Sequence, residues 1–240
     1  MPFGAAYEEL SRAQKPNRGV SLYSRYLNRP LGRFLAAAAA AAGLSPNGVT
    51  AISALMTLSG VVLVASLEPS LASGLAVTGL IVFGYALDSA DGQLARLTQR
   101  GSAAGEWFDH VVDAGKSVLL HSAVLIGVYQ HFDVEATWLV LILAYQALAV
   151  VLQAGGILRE LLGRITAGPR PPAAAGRWGS SVALLIADSG VFGLIFLTWP
   201  WPEVFLPTYA VLFIGNALVG GLLLGKWMRE LVDLSSGAER

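Results

Sequence analysis

Apolar residues fall in long blocks separated by short polar breaks. A helix that crosses a bilayer needs about 20 mostly apolar residues, and the pattern predicts six of them. They run Asn47–Ser66, Leu71–Leu97, Gly105–Tyr129, Thr137–Leu161, Ser180–Trp199 and Val204–Trp227. Ahead of the first, Leu22–Gly43 predicts a different kind of helix. Arg25, Arg29 and Arg33 recur every fourth residue as a basic stripe, while Leu22, Tyr26, Leu27, Leu31 and Phe34 supply apolar area. Three arginines inside a span are costly, whereas a helix lying in the interface tolerates them. Pro30 is expected to break or start its regular part, and the alanines Ala36–Ala42 to pack closely against neighbours. This helix reads either as an anchor that fixes topology or as a contact for an anionic acceptor.

Charge then fixes sidedness. Of the 16 Lys and Arg, six precede the first span: Arg12, Lys15, Arg18, Arg25, Arg29 and Arg33. Arg96 and Arg100 follow the second span, and Arg159, Arg164, Arg170 and Arg177 follow the fourth. Lys226, Arg229 and Arg240 close the chain, and Lys116 lies within the third span. The other three connections carry Glu68, Asp133, Glu135 and Glu203 instead. The positive-inside rule therefore predicts both termini in the cytoplasm, in agreement with an even number of spans. Trp199 and Trp201 flank the external turn Pro200–Pro202, as an aromatic belt predicts. Pro171, Pro172 and the alanines after them read as a cytoplasmic linker.

Composition agrees. The 240 residues are 55% hydrophobic and 13% charged, with a mean hydropathy of +0.60. Soluble domains carry roughly 25% charged residues, so too few charges are present here for a water-facing exterior. Zero net charge gives no support to nucleic-acid binding. Without cysteine there is neither a disulfide nor a thiolate metal site. The first 30 residues are polar and lack the apolar core of a signal peptide. The fold class expected is all-α and polytopic, with six transmembrane helices, an N-terminal interfacial amphipathic helix and both termini cytoplasmic. Residues 1–45 form the cytoplasmic segment, 46–228 the membrane domain and 229–240 a tail.

The chemistry concentrates between Asp88 and Asp113, which read D-S-A-D-G-Q-L-A-R-L-T-Q-R-G-S-A-A-G-E-W-F-D-H-V-V-D. Asp88 and Asp91 share one face of the second span, Asp109 and Asp113 one face of the third. A short connection makes the two helices antiparallel, so both pairs can meet at one membrane depth. Four carboxylates brought together in a low-dielectric wall do not all ionise without cations. All-oxygen ligands suit Mg²⁺, Mn²⁺ or Ca²⁺, and two such ions are the usual clamp for attack on phosphorus. Arg96 can meet a diphosphate from the same region. Gly92 and Ala95 lie on the aspartate side and Gly105 opens the third span, which lets a bulky ligand approach the backbone or helices pack closely.

The stretch matches D-x2-D-G-x2-A-R-x8-G-x3-D-x3-D, and thereby resembles the CDP-alcohol phosphotransferase family. Asp88, Asp91, Gly92, Ala95, Arg96, Gly105, Asp109 and Asp113 fill the fixed positions. Pro46–Thr50, P-N-G-V-T, looks like the family's usual opening of its first span. The resemblance implies transfer of a substituted phosphate from a CDP-linked donor, CDP-diacylglycerol or another CDP-alcohol, to an alcohol acceptor, with release of CMP, in phospholipid or polar-lipid synthesis. It implies two divalent cations, Mg²⁺ or Mn²⁺, on Asp88, Asp91, Asp109 and Asp113, with Asp113 also the base. Asp91, Gly92, Ala95, Arg96, Ser102, Gly105 and the opening Asn47–Thr50, Asn47 and Thr50 in particular, would border the CDP group. A homodimer in the inner or plasma membrane, with its site facing the cytoplasm, is implied as well. The stretch S-R-Y-L-N-R-P is similar to inositol-phosphate-transferring members; inositol, inositol phosphate and glycerol phosphate are the acceptor types in view. Relatives often carry an arginine directly after the last aspartate, where Ala114 stands here.

Other polar residues have plainer readings. Lys116 lies between Asp109 and Asp113 in helical angle and either pairs with one of them or, with Arg25 and Arg29, meets the acceptor. Asp188, in the middle of the fifth predicted span, must be protonated or paired with a polar group facing the bundle. Gln146, Gln153 and Asn216 suit interhelical hydrogen bonds, and His121 a satisfied core histidine; His110 points away from the site. The alternative function is a cation or metabolite transporter with an intramembrane acidic site, although such sites usually lie near the midplane. A catalytically dead scaffold is the third reading.

Overall fold

The computed structural model describes residues 1–13, 20–167, 181–182 and 184–238, and no strand occurs among them. Helix α1 spans Phe3–Arg12. A short π-helical segment, Ser24–Asn28, leads directly into α2, Arg29–Ala41, with Pro30 in its first turn. Then follow α3 (Pro46–Ser66), α4 (Leu71–Thr98), α5 (Ala103–His131) and α6 (Ala136–Ala167). The short α7, Ser189–Leu194, runs into a 3₁₀ turn over Ile195–Thr198, and α8 covers Pro202–Ala238. Five of these, α3, α4, α5, α6 and α8, are long and apolar enough to cross a membrane. Lys15, Arg18, Arg170, Pro171, Pro172, Arg177, Ser180 and Arg240 lie outside the described residues.

Helix starts follow the local sequence. Ser45 caps α3 by accepting from the Gly48 N–H at 3.1 Å, with Pro46 at the first helical position. Ser102 caps α5 in the same way, accepting from Gly105 N at 3.1 Å. Helix α4 stops where Gln99 turns left-handed, at φ 53°. Residues 99–102 are all that separate α4 from α5, so the two must run antiparallel. A hydrocarbon slab takes up about 20 helical residues. Counted from Leu71, that reaches the level of Asp88 and Asp91; counted back from His131, it reaches the level of Asp109 and Asp113. Both pairs thus stand at one depth.

Small residues set the helix spacing. A Cβ on Gly84 would stand 2.6 Å from Thr57 Oγ1, so α3 and α4 touch there, and Ser53 Oγ donates to Gly84 O at 2.8 Å. On the other side of α4, a Cβ on Gly32 would meet Ser89 Oγ at 2.8 Å, which fixes α2 against α4. Ala36, Ala37 and Ala39 are buried in the cluster that joins α1, α2 and α4, as the alanine run predicts. The arginine stripe divides, because the π-helical turn changes the register between Arg25 and Arg33. Arg33 packs over the Tyr7 ring at 4.9 Å, on a helix α1 that the apolar pattern does not reveal.

The fifth predicted span is where pattern and structure differ. A continuous helix to Trp199 is expected, yet the chain turns at 184–187 and restarts with Asp188 as N-cap. Asp, Ser and Gly in succession favour a cap over a helix interior. From there the chain descends antiparallel to α4. Asp188 stands near Tyr85, a Cβ on Gly193 would meet Ile81 at 3.0 Å, and one on Gly74 would meet Phe196 O at 2.6 Å. Asp188 is therefore at the layer of Tyr85 and Asp88, not in mid-span. Trp199 is fully buried against Phe132 and Phe205 and is core rather than belt, whereas Trp201 is exposed. Helix α8 pairs with α6 in parallel, Tyr145 with Tyr209, Leu152 with Gly220 and Arg159 with Glu230. It also continues beyond residue 228, where a tail is expected.

Candidate active site

Carboxylate oxygens of Asp88, Asp91 and Asp109 lie within 4.8 Å of one another at the facing ends of α4 and α5. Helix α3 holds one of them in place. Thr50 is buried and its hydroxyl donates to Asp91 Oδ2 at 2.5 Å. Asp109 Oδ1 is buried with no hydrogen-bond partner among the described residues. A buried acceptor left unpaired costs about 1–3 kcal/mol, and a hard cation satisfies it. An all-oxygen donor set with one orphaned carboxylate oxygen fits a divalent ion of the Mg²⁺ or Mn²⁺ type.

Asp113 meets that trio through a lysine that it shares with Asp88. Its Oδ1 accepts from Lys116 Nζ at 2.8 Å, and the same ammonium pairs with Asp88 Oδ1 and donates to Ser53 Oγ at 3.1 Å. The expected ion pair of Lys116 is thus with Asp113 and Asp88, not Asp109. With the side chain only 12% exposed, this is a largely dehydrated bridge between the two helices.

The remaining motif residues stand on the same ends of α3, α4 and α5. A Cβ on Gly92 would meet only Arg96 Nη1, at 3.6 Å, so the guanidinium folds over an open glycine and not over a packed helix. Arg96 is exposed and Ala95 half-buried. A Cβ on Gly105 would stand 3.1 Å from Asn47 Oδ1 and 3.2 Å from Ser102 Oγ. Gly105 therefore brings the N-termini of α3 and α5 together, with Asn47 and Ser102 exposed beside it.

Two cavities flank Asp88. One, of about 420 Å³, runs inward among α4, α5, α6, α7 and α8 and is headed by Asp88, Asp113 and Lys116. The other, of about 390 Å³, opens toward the N-terminal segment and is lined by Ser21, Ser24, Arg29, Tyr85, Asp88 and Asp188 among others. Arg29 reaches it; Arg25 lines neither and lies over the Tyr26 ring at 5.2 Å. Burial, and after it the Asp188 carboxylate, push the nearby Tyr23 hydroxyl above its ordinary value.

Sequence reasoning missed Tyr85, Ser21 and Ser24. Tyr85 precedes Asp88 by three residues and shares its face, which was a usable signal; no periodicity marks the serines. His121 is a core histidine, its Nδ1 2.6 Å from the Tyr209 hydroxyl. Gln146 bonds to Ser122 and Val118 O on α5, each at 2.9 Å. Asn216 bonds to the Tyr145 hydroxyl at 2.8 Å. Gln153 lines the inner cavity. His110 lies 3.8 Å from Glu106.

No curated protein matches the chain significantly. Residues 43–218 match the family described as CDP-alcohol phosphatidyltransferase, across the clustered aspartates and the helices that carry them. Its members transfer a phosphatidyl group from a CDP-alcohol, and with most of its length matched this chain belongs to the CDP-alcohol phosphatidyltransferase family, as a membrane-embedded transferase of substituted phosphate groups.

Proposed function

We propose that the protein moves a substituted phosphate from a CDP-linked donor, such as CDP-diacylglycerol, to a small alcohol of the inositol, inositol phosphate or glycerol phosphate type, and releases CMP. The observation that carries this is the trio Asp88, Asp91 and Asp109, with an oxygen of Asp109 unpaired, at the end of two antiparallel helices. Asp88, Asp91, Asp109 and Asp113 would hold two divalent cations, Mg²⁺ or Mn²⁺, which would supply charge neutralisation for the donor diphosphate.

The chain's own residues do the rest. Asn47, Gly92, Ala95, Arg96, Ser102 and Gly105 border the CDP group, where open glycine backbone and two adjoining helix N-termini favour an anion. Thr50 acts through Asp91, whose carboxylate it holds. Arg96 meets the diphosphate and offsets the charge of departing CMP. Asp113 takes the proton of the acceptor hydroxyl, which attacks the phosphorus distal to cytidine. Lys116 keeps Asp113 beside Asp88, and Lys116 with Arg29, and Arg25 farther out, supplies positive charge toward the acceptor. Positioning and charge neutralisation carry most of the barrier reduction.

Six crossings with both termini cytoplasmic belong to the same reading. The parallel pairing of α6 and α8 supports this reading, and the shortened passage Ser189–Thr198 would supply part of a return between them. The clustered aspartates then face the cytoplasm of a cell membrane, in a homodimer. The domain limits proposed are 1–45 and 46–228, with 229–240 as a C-terminal segment into which α8 continues. The test is CMP release by purified protein from CDP-diacylglycerol with Mn²⁺ or Mg²⁺ and a panel of polyols and polyol phosphates. No CMP with any donor overturns the proposal and reopens transport.

A further inference from the structure

The outer cavity contains a cluster that the family motif does not include. Asp188 is 6% exposed. Its carboxylate accepts from the hydroxyls of Ser21 and Ser24, the latter at 2.6 Å, and from Gly190 N at 2.8 Å. Ser24 Oγ is also 3.0 Å from the Tyr85 hydroxyl. Three elements far apart in sequence converge here: the segment before α2, the middle of α4, and the restart of the chain at α7. The convergence is enforced sterically, because a Cβ on Gly190 would overlap the Tyr23 ring at 1.9 Å.

A buried carboxylate normally demands a cation. Among the described residues none forms an ion pair with Asp188; hydroxyls surround it instead. Hydroxyl side chains rotate and both donate and accept. Such a group can release a bond to its neighbour and offer the same bond to a ligand hydroxyl. Adjacent hydroxyls on a ligand have the matching property. The cavity also includes Arg29, a cation suited to phosphate, and Asp88, a member of the acidic trio. A small polyol held at Asp188 would therefore present another of its hydroxyls toward the reacting centre.

We propose that Asp188, Ser24 and Tyr85 form the subsite that reads adjacent hydroxyls of the acceptor, so that the acceptor is a small polyol or its phosphate and not a single-hydroxyl alcohol. This rests on the transfer reading above. Asp188 acts here as a specificity residue, with Ser24 and Tyr85 as its hydroxyl partners.

The experiment compares myo-inositol, inositol phosphate, glycerol 3-phosphate and cyclohexanol as acceptors for full-length protein, with CMP release as readout. A polyol arm is expected to exceed cyclohexanol at least tenfold in kcat/KM, because buried polar groups left unpaired penalise the analogue lacking hydroxyls. Ser24→Ala and Tyr85→Phe are each expected to raise the KM for the polyol about tenfold, with the Kd for CDP as the control for an intact donor site. Arg29→Gln then identifies the source: a raised KM only for the phosphorylated acceptors assigns the phosphate to Arg29. Asp188→Asn serves as a third variant, and the serine and tyrosine variants keep the test valid if that cap variant does not fold. Cyclohexanol used as well as polyols, or an unchanged polyol KM in both Ser24→Ala and Tyr85→Phe, overturns the proposal. Failure of the transfer reading looks different: no CMP appears with any donor. Calorimetry with myo-inositol on the wild type and Ser24→Ala then decides the subsite by itself, tighter binding to the wild type supporting it and equal or no binding overturning it.

Discussion

Lys116→Met should lower stability in the absence of divalent ions and be rescued by them. The ammonium joins Asp88 to Asp113 across α4 and α5 and also touches Ser53 of α3. Its removal leaves two half-buried carboxylates facing each other beside Asp91 and Asp109. Breaking a fully buried pair costs about 3–5 kcal/mol and an exposed one about 0–1 kcal/mol. The lysine is 12% exposed and its partners 20% and 33%, so a cost of about 2 kcal/mol is expected. On the per-residue unfolding entropy of globular proteins this lowers the Tm of a chain this size by roughly 4 °C. Divalent ions remove the same repulsion. Thermal unfolding in detergent, with chelator and then with millimolar Mg²⁺, should therefore show a larger Mg²⁺-induced rise in Lys116→Met than in wild type, by nearly the whole deficit. An equal rise in both proteins, or no deficit in chelator, would refute the view that the lysine neutralises this acidic centre.

Asp113→Asn should abolish CMP release while retaining CDP affinity, measured by calorimetry; retained turnover removes Asp113 as the base. Arg96→Ala should weaken CDP binding about 10–100-fold, the worth of a charge-assisted contact, and unchanged affinity contradicts the diphosphate assignment. Gly84→Ala places a methyl 2.6 Å from Thr57 Oγ1 and should cost about 1–3 kcal/mol, lowering Tm. Gly79→Ala, with nothing within 4 Å of the new carbon, should be neutral or slightly stabilising; equal effects at the two glycines refute the close-contact argument for α3 and α4.

The parts of the fold set by local rules were legible. Long apolar blocks became α3 to α6 and α8, and Ser45-Pro46 and Ser102 mark helix starts by ordinary capping chemistry. Aspartates three and four residues apart landed on facing sides because helical angle and a short connection leave little freedom. What depends on long-range packing did not show. Helix α1 is not apolar throughout; only its Ala6 and Leu10 are buried, against α2 and α4. Trp199 has the composition of a boundary residue but fills the space over Gly127, where its ring carbons lie 3.0 Å from a would-be Cβ. Thr50 stands in the opening of α3, and nothing in that pattern reveals that its hydroxyl bonds to the Asp91 carboxylate.

Asp188 shows how hydropathy alone can mislead. A block of about 20 mostly apolar residues absorbs a single acid, so the pattern predicts a continuous span with an expensive charge in its middle. The backbone offers another solution. By ending the helix before Asp188, it turns that side chain from a mid-span burden into a cap for Gly190 N and an acceptor for two serines. The residues 189–198 left beyond it form a shortened apolar passage, fewer than the number that spans alone. Irregular backbone at membrane depth is tolerated where it is buried in protein or lines a polar cavity. Here it does both, with the N-terminal segment packed over it at Tyr23 and the outer cavity beside it. The stretch before α2 is therefore part of the cavity wall, and any account of acceptor choice has to include residues that precede the first span.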